Sequence, residues 1–163
     1  MIKASLWVSL FAIVPAQAAA QDRSEGKLDV KGVSYPLTQV YAFAEEGFFD
    51  KSKQDVTVLF CDAPLPAGAV RDDFAREAAT NGGNVHCVVQ VLNADKQVMH
   101  FEVLGKGFGR IQGASTEHVF EAKTFNGKSI SGRSRTASPQ KTMVDKTPYS
   151  YDVSFNAAIA PKK

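Results

Sequence analysis

The chain has 163 residues and a formal net charge of +2, with 44% hydrophobic and 22% charged residues. These proportions belong to an ordinary globular protein and exclude a disordered or low-complexity chain. The charge is unevenly spread: residues 21–104 carry 8 Lys/Arg against 13 Asp/Glu, a net −5, and residues 105–163 carry 10 against 4, a net +6.

In chain order, the first segment has the pattern of a secretory signal peptide. Lys3 supplies a positive start, Leu6–Val14 an apolar run, Pro15 a break, and Ala16-Gln17-Ala18 the small residues a signal peptidase reads. Ala18-Ala19-Ala20 fits as well, so cleavage after Ala18 or after Ala20 is expected. The apolar run is too short to span a bilayer, which takes about 20 residues. The expectation is a periplasmic or secreted protein with signal peptide 1–20 removed and no transmembrane segment left. Residues 21–163 then form a single β-rich domain, large enough to bury a core without many disulfides. Trp7, the single tryptophan, falls inside the leader.

Residues 21–26 are polar and read as a loose start; Lys27–Val30 alternates, and Val33–Ala44 reads as extended. Glu45–Asp55 mixes charges with Gly47 and an exposed-looking Phe48-Phe49, so a loop is expected there. Val56–Cys61 is dense in strand formers and reads as a central strand. Residues 69–80 read as the one helix, with Val70, Phe74 and Ala78 as its apolar stripe, Asp72–Arg76 as an i, i+4 pair, and Asn81-Gly82-Gly83 as its end. Such a narrow stripe suits a helix lying across the outside of a sheet.

Two hairpins follow. Val85–Leu92 and Gln97–Leu104 are expected to pair Val91 with Met99, Val89 with Phe101 and Cys87 with Val103, which leaves His86, Val88, Gln90, His100 and Glu102 on the other face. Thr116–Phe125 and Lys128–Thr136 are expected to turn tightly at Asn126-Gly127. Tyr149–Ile159 alternates aromatic and apolar residues with polar ones, as a strand covering a core does. The expected fold is mainly β, an antiparallel β-sandwich or half-barrel of seven to eight strands with one short helix.

Few residues point to chemistry. Cys61 and Cys87, both in apolar strand-like runs, read as one disulfide in an oxidising compartment. Gly105-Lys106-Gly107-Phe108-Gly109-Arg110 lacks phosphate-loop spacing and a following helix, so it reads as an irregular connection between strands. His86, His100 and His118 have no paired spacing, so no metal or other cofactor is expected. Glu45-Glu46 and Asp72-Asp73 read as solvated charge, and no nucleophile elbow is present. With Trp7 in the leader, Tyr35, Tyr41, Tyr149 and Tyr151 are the remaining platforms for a flat ligand. With a two-residue turn, His118, Phe120, Arg133 and Arg135 share one face of the second hairpin, a constellation suited to an anion or an acidic partner. These features support an exported, non-enzymatic binding domain, whose partner is a protein or an anionic envelope component and not a specific nucleic acid. The competing expectation is a small exported hydrolase acting on envelope material.

Overall fold

The computed structural model describes residues 22–114 and 116–162. The leader expected at residues 1–20 lies outside the described residues. Among the described residues eleven strands form: β1 Arg23–Val30, β2 Val33–Pro36, β3 Gln39–Glu46, β4 Gln54–Cys61, β5 Cys87–Leu92, β6 Val98–Gly105, β7 Gly109–Gly113, β8 His118–Phe125, β9 Ser129–Thr136, β10 Gln140–Lys141 and β11 Pro148–Ala160. Between β4 and β5 lie a 3-10 turn, Ala67–Val70, and the helix α1, Asp73–Gly82. The class is mainly β and broadly sandwich- or half-barrel-like, as expected, but the sheet is mixed and not wholly antiparallel, since β11 pairs parallel with β3; short β2, β7 and β10 raise the strand number above seven to eight. No helix among the described residues is long and apolar enough to cross a membrane.

β11 is the hinge of the architecture. It pairs antiparallel with β1 along one edge and with β9 along the other, and its last residues, Ile159 and Ala160, pair parallel with β3. It therefore belongs to two wings, β2-β1-β11-β9-β8 and β11-β3-β4-β5-β6-β7. Every second residue from Tyr149 to Ile159 is buried, as its alternation requires. Between the wings sit Leu28, Val58, Phe60, Val88, Val103, Ile130 and Val153, all fully buried.

β1 begins at Arg23, so residues 23–26 are strand and not a loose start. At Gly26 a Cβ would lie 2.2 Å from the Asp152 carbonyl oxygen on β11. Only glycine allows that approach, and a glycine hides the strand from a reading based on side-chain alternation.

The β5–β6 register differs from the expected one. Cys87 faces Leu104, Val88 faces Val103 and Gln90 faces Phe101. Val88, Leu92, Phe101 and Val103 point into the core, while Cys87, Val89 and Leu104 join Phe43, Leu59, Cys61, Leu65 and Ala69 in a second apolar cluster. α1 and the 3-10 turn cover that outer face, contributing Ala75, Ala79 and Val70. A strand buried on both sides carries no one-sided pattern, so pairing all apolar residues on one face misplaces it by one residue.

The helix is rotated from its expected stripe. Asp72 is its N-cap and accepts the Ala75 N–H at 2.7 Å. Phe74 is 86% exposed, whereas Arg76 and Thr80 are buried. Arg76 pairs with Asp73, not Asp72, and donates to the Val70 carbonyl at 2.9 Å. Its long stem fills the sheet-side position that apolar periodicity assigned to Phe74.

Candidate binding cleft

The wings meet at β11, but the far edge of β7 is unpaired among the described residues and looks across to β10 and the loop 142–147. Between them lies a cleft of about 650 Å³. Phe101, Ile111 and Tyr149 form apolar walls, and Gln112, Gln140 and Lys141 add polar ones. Met143 and Val144 stand at the rim, 89% and 95% exposed. The loop carrying them is braced. The Asp145 carboxylate accepts from the Thr147 N–H at 3.1 Å, the Thr147 hydroxyl at 2.7 Å and the Thr142 hydroxyl, which together hold its pKa far below the usual carboxylate range. The Thr142 N–H donates to the Thr147 carbonyl at 3.0 Å.

Behind Tyr149 runs a buried chain of polar groups. The Ser134 hydroxyl donates to Gln90 Oε1, and Gln90 Nε2 donates to the Tyr151 hydroxyl at 2.6 Å. Tyr151 is thereby left to donate to His118 Nδ1, 2.8 Å away. This direction places the imidazole proton on Nε2, which faces the Tyr149 hydroxyl at 3.3 Å. The His118 ring also stacks on Phe101, with centroids 3.5 Å apart. Burial lowers the His118 pKa to about 4 and raises those of both tyrosines, so the chain is neutral at neutral pH. It ends at Tyr149, whose side chain lines the cleft.

The anion-binding constellation expected on the second hairpin is not assembled. Asn126 Oδ1 accepts the N–H groups of Lys128 and Ser129, each at 2.9 Å, and the Asn126 N–H donates to the Ser129 carbonyl at 3.0 Å. The turn is therefore centred on Gly127-Lys128, one residue beyond Asn126-Gly127, and a bulge follows between Ala122 and Thr124. His118 faces Thr136 and Phe120 faces Ser134, both inward; Arg133 faces Glu121 and Arg135 faces Val119 on the outer side. A shift of one residue has put the two pairs on opposite faces. Phe120 packs on Phe125 and Phe155, while Arg133 is bidentate on Asp152 and Arg135 donates to Glu121 at 2.7 Å.

The other sequence-marked residues hold the framework. Cys61 and Cys87 are direct partners in the β4–β5 ladder and form a disulfide, Cα atoms 4.2 Å apart. Beside it, Asp62 accepts the His86 N–H at 2.8 Å and contacts His86 Nδ1 at 2.7 Å, with Tyr35 stacked on the imidazole at 3.8 Å. The Tyr41 hydroxyl accepts the Leu65 N–H at 3.1 Å. His100 contacts the carboxylate of Glu102 at 3.1 Å, and Arg110 binds it too. Burial works against ionisation of Glu102, but His100 and Arg110 outweigh it and lower its pKa. Gly105–Arg110 is the β6–β7 turn, where a Cβ on Gly105 would lie 2.4 Å from the Phe108 ring. Among the described residues no group of three or more His, Cys, Asp or Glu is placed to hold a metal ion.

No protein family, curated protein or solved structure matches the chain.

Of the residues behind the cleft, Gln90, Ser134 and Phe101 drew no functional reading from the sequence. Gln90 carried a usable signal: it is an amide within an otherwise apolar run, Val88 to Leu92, and a buried amide needs partners.

Proposed function

We propose that the protein is an exported, non-enzymatic binding domain, and that its partner is an extended protein segment seated in the cleft along β7. One observation carries this reading: an open cleft of ligand size ends on a braced loop, an unpaired strand edge and a tyrosine hydroxyl fixed by a buried hydrogen-bond chain. A strand edge offers backbone N–H and C=O groups to an added strand, and apolar walls below it take alternate side chains. Export is supported by the leader pattern and by the disulfide, which persists in oxidising compartments. The histidines support binding over catalysis: His118 has both ring nitrogens engaged and is neutral, and His100 is tied to Glu102.

The hydrolase reading is favoured by one feature, the Asp62–His86 pair, in which a carboxylate orients an imidazole as in a general base. The two readings separate on variants. Retention of a partner from solubilised envelope is expected for the parent protein and is expected to be lost in the double variant Met143→Asp, Val144→Asp, whose side chains are solvent-exposed and whose fold is retained. Breakdown of envelope material by the parent, abolished by His86→Ala, would replace the binding account with the enzymatic one.

A further inference from the structure

The β3–β4 turn, residues 47–53, carries a second hollow that the cleft meets only at Ala114. Phe48 and Phe49 stand out from the turn, 72% and 78% exposed, their centroids 4.9 Å apart and their planes nearly perpendicular at 84°. The turn that presents them is rigidly built. The Gly47 N–H donates to the Lys53 carbonyl at 3.0 Å, the Lys53 N–H to the Asp50 carbonyl at 2.9 Å, and the Phe48 N–H to Asp55 Oδ2 at 2.9 Å. A Cβ at Gly47 would fall 2.3 Å from the Asp50 carbonyl oxygen, so the path of the turn depends on glycine. Two phenyl rings are thus held in water by a fixed backbone, an arrangement that marks a binding surface.

The hollow beside them has a volume of about 700 Å³ and continues over Val91, Met99 and His100. Its remaining charged lining is acidic: Glu45, Glu46 and Asp55, with no lysine or arginine. Lys51 and Lys162 contact Glu46 at 2.9 and 3.0 Å without lining the hollow, and these partners hold its carboxyl ionised, at about 2. Glu45 accepts from the Thr57 hydroxyl, and Asp55, only 5% exposed, braces the turn.

Aromatic faces attract a positive charge through the ring quadrupole, and carboxylates in a partly apolar hollow add to that attraction. A neutral guest can use only the rings, and an anion is repelled. We propose that this hollow binds a free small organic ammonium compound, its charge toward Glu45 and Asp55 and its hydrocarbon body against Phe48, Phe49 and Met99. The volume lies in the range of small-molecule sites, and the occupant is accordingly a free ligand, with a lysine side chain of a protein as the competing outcome of the test. The proposal is independent of the cleft reading, since it uses none of β7, β10 or Tyr149.

Isotope-labelled mature protein titrated with benzyltrimethylammonium tests this. Saturable shifts are expected at Phe48, Phe49, Val91 and Met99, with benzyl alcohol binding weaker by roughly tenfold or more because it lacks the charge. The double variant Phe48→Ala, Phe49→Ala and the separate variant Glu45→Gln should each weaken binding severalfold, while spectra of the distant β8–β9 hairpin stay those of the parent. The absence of saturable shifts, equal affinity for benzyl alcohol, unchanged affinity in both variants, or tighter binding of an oligolysine peptide at the same residues would each overturn it.

Discussion

His118 stays uncharged in the folded protein because burial between the wings removes hydration from its charged form, moving its pKa from 6.5 down to about 4. The unfolded chain takes up this proton near pH 6.5, so between there and about pH 4 the unfolded state binds more protons. The stabilisation is therefore complete above pH 6.5, declines as pH falls toward about 4, and is flat below. The loss across this window is on the order of 3 kcal/mol. Urea denaturation at the two ends of the window measures it. His118→Phe keeps a ring on Phe101 and cannot titrate, so its stability should fall less over the same interval. An identical decline in the variant would show that other groups carry the acid sensitivity. At Arg133 and Arg135 the expectation is the opposite of a buried role. Their ion pairs with Asp152 and Glu121 are on the wet side of the hairpin, and Phe120 takes its cover from Phe125 and Phe155. Arg133→Ala combined with Arg135→Ala should leave the melting temperature close to the parent's, because exposed pairs contribute little. A large drop would mean that the arginine stems cover apolar surface.

Among the elements, β4 and β5 are tied most firmly, since Cys61 and Cys87 link directly paired positions 26 residues apart in the chain. Closing a segment of that length is worth about 3 kcal/mol in the chain-entropy account. Replacing both cysteines by alanine should lower the denaturation midpoint accordingly. A negligible change would mean the bridge forms but matters little, whereas two free thiols in non-reducing peptide mapping of the exported protein would contradict the assignment. How much of each element the sequence discloses depends on how its faces are covered. β11 was legible because one face is core and the other is polar, so its alternation is real at every step. β5 and β6 were legible as a hairpin but not in their register, because α1 buries their outer face and removes the polar half of the pattern. The second hairpin was located by Asn126-Gly127, but the turn centres one residue later, and the bulge between Ala122 and Thr124, which no local signal marks, decides which side His118 and the arginines take. β7 was hidden by Gly105, Gly107 and Gly109 in the turn that precedes and opens it. The cleft itself could not be read locally, because Tyr149 meets Phe101 and Ile111 of the β6–β7 hairpin only when the wings fold.

At the scale of the molecule the acidic and basic parts of the chain do not separate cleanly. Arg110 reaches Glu77 and Glu102, and Lys162 reaches Glu46, so the basic part partly neutralises the acidic one. Export has its own direct check: the intact mass of the exported protein should correspond to a chain starting at Ala19 or Gln21 and lacking Trp7, and a full-length mass would contradict it. The half-barrel is joined at β11 and open between β7 and β10, and the account rests on that opening being where a partner sits. Amide shift mapping of the labelled mature protein, titrated with solubilised envelope extract, tests this most directly. Shifts concentrated in β7, residues 140–147 and Tyr149, and lost in the Met143→Asp, Val144→Asp variant, are the predicted result. Shifts confined to the outer face of β8 and β9, or none at saturating extract, would contradict it.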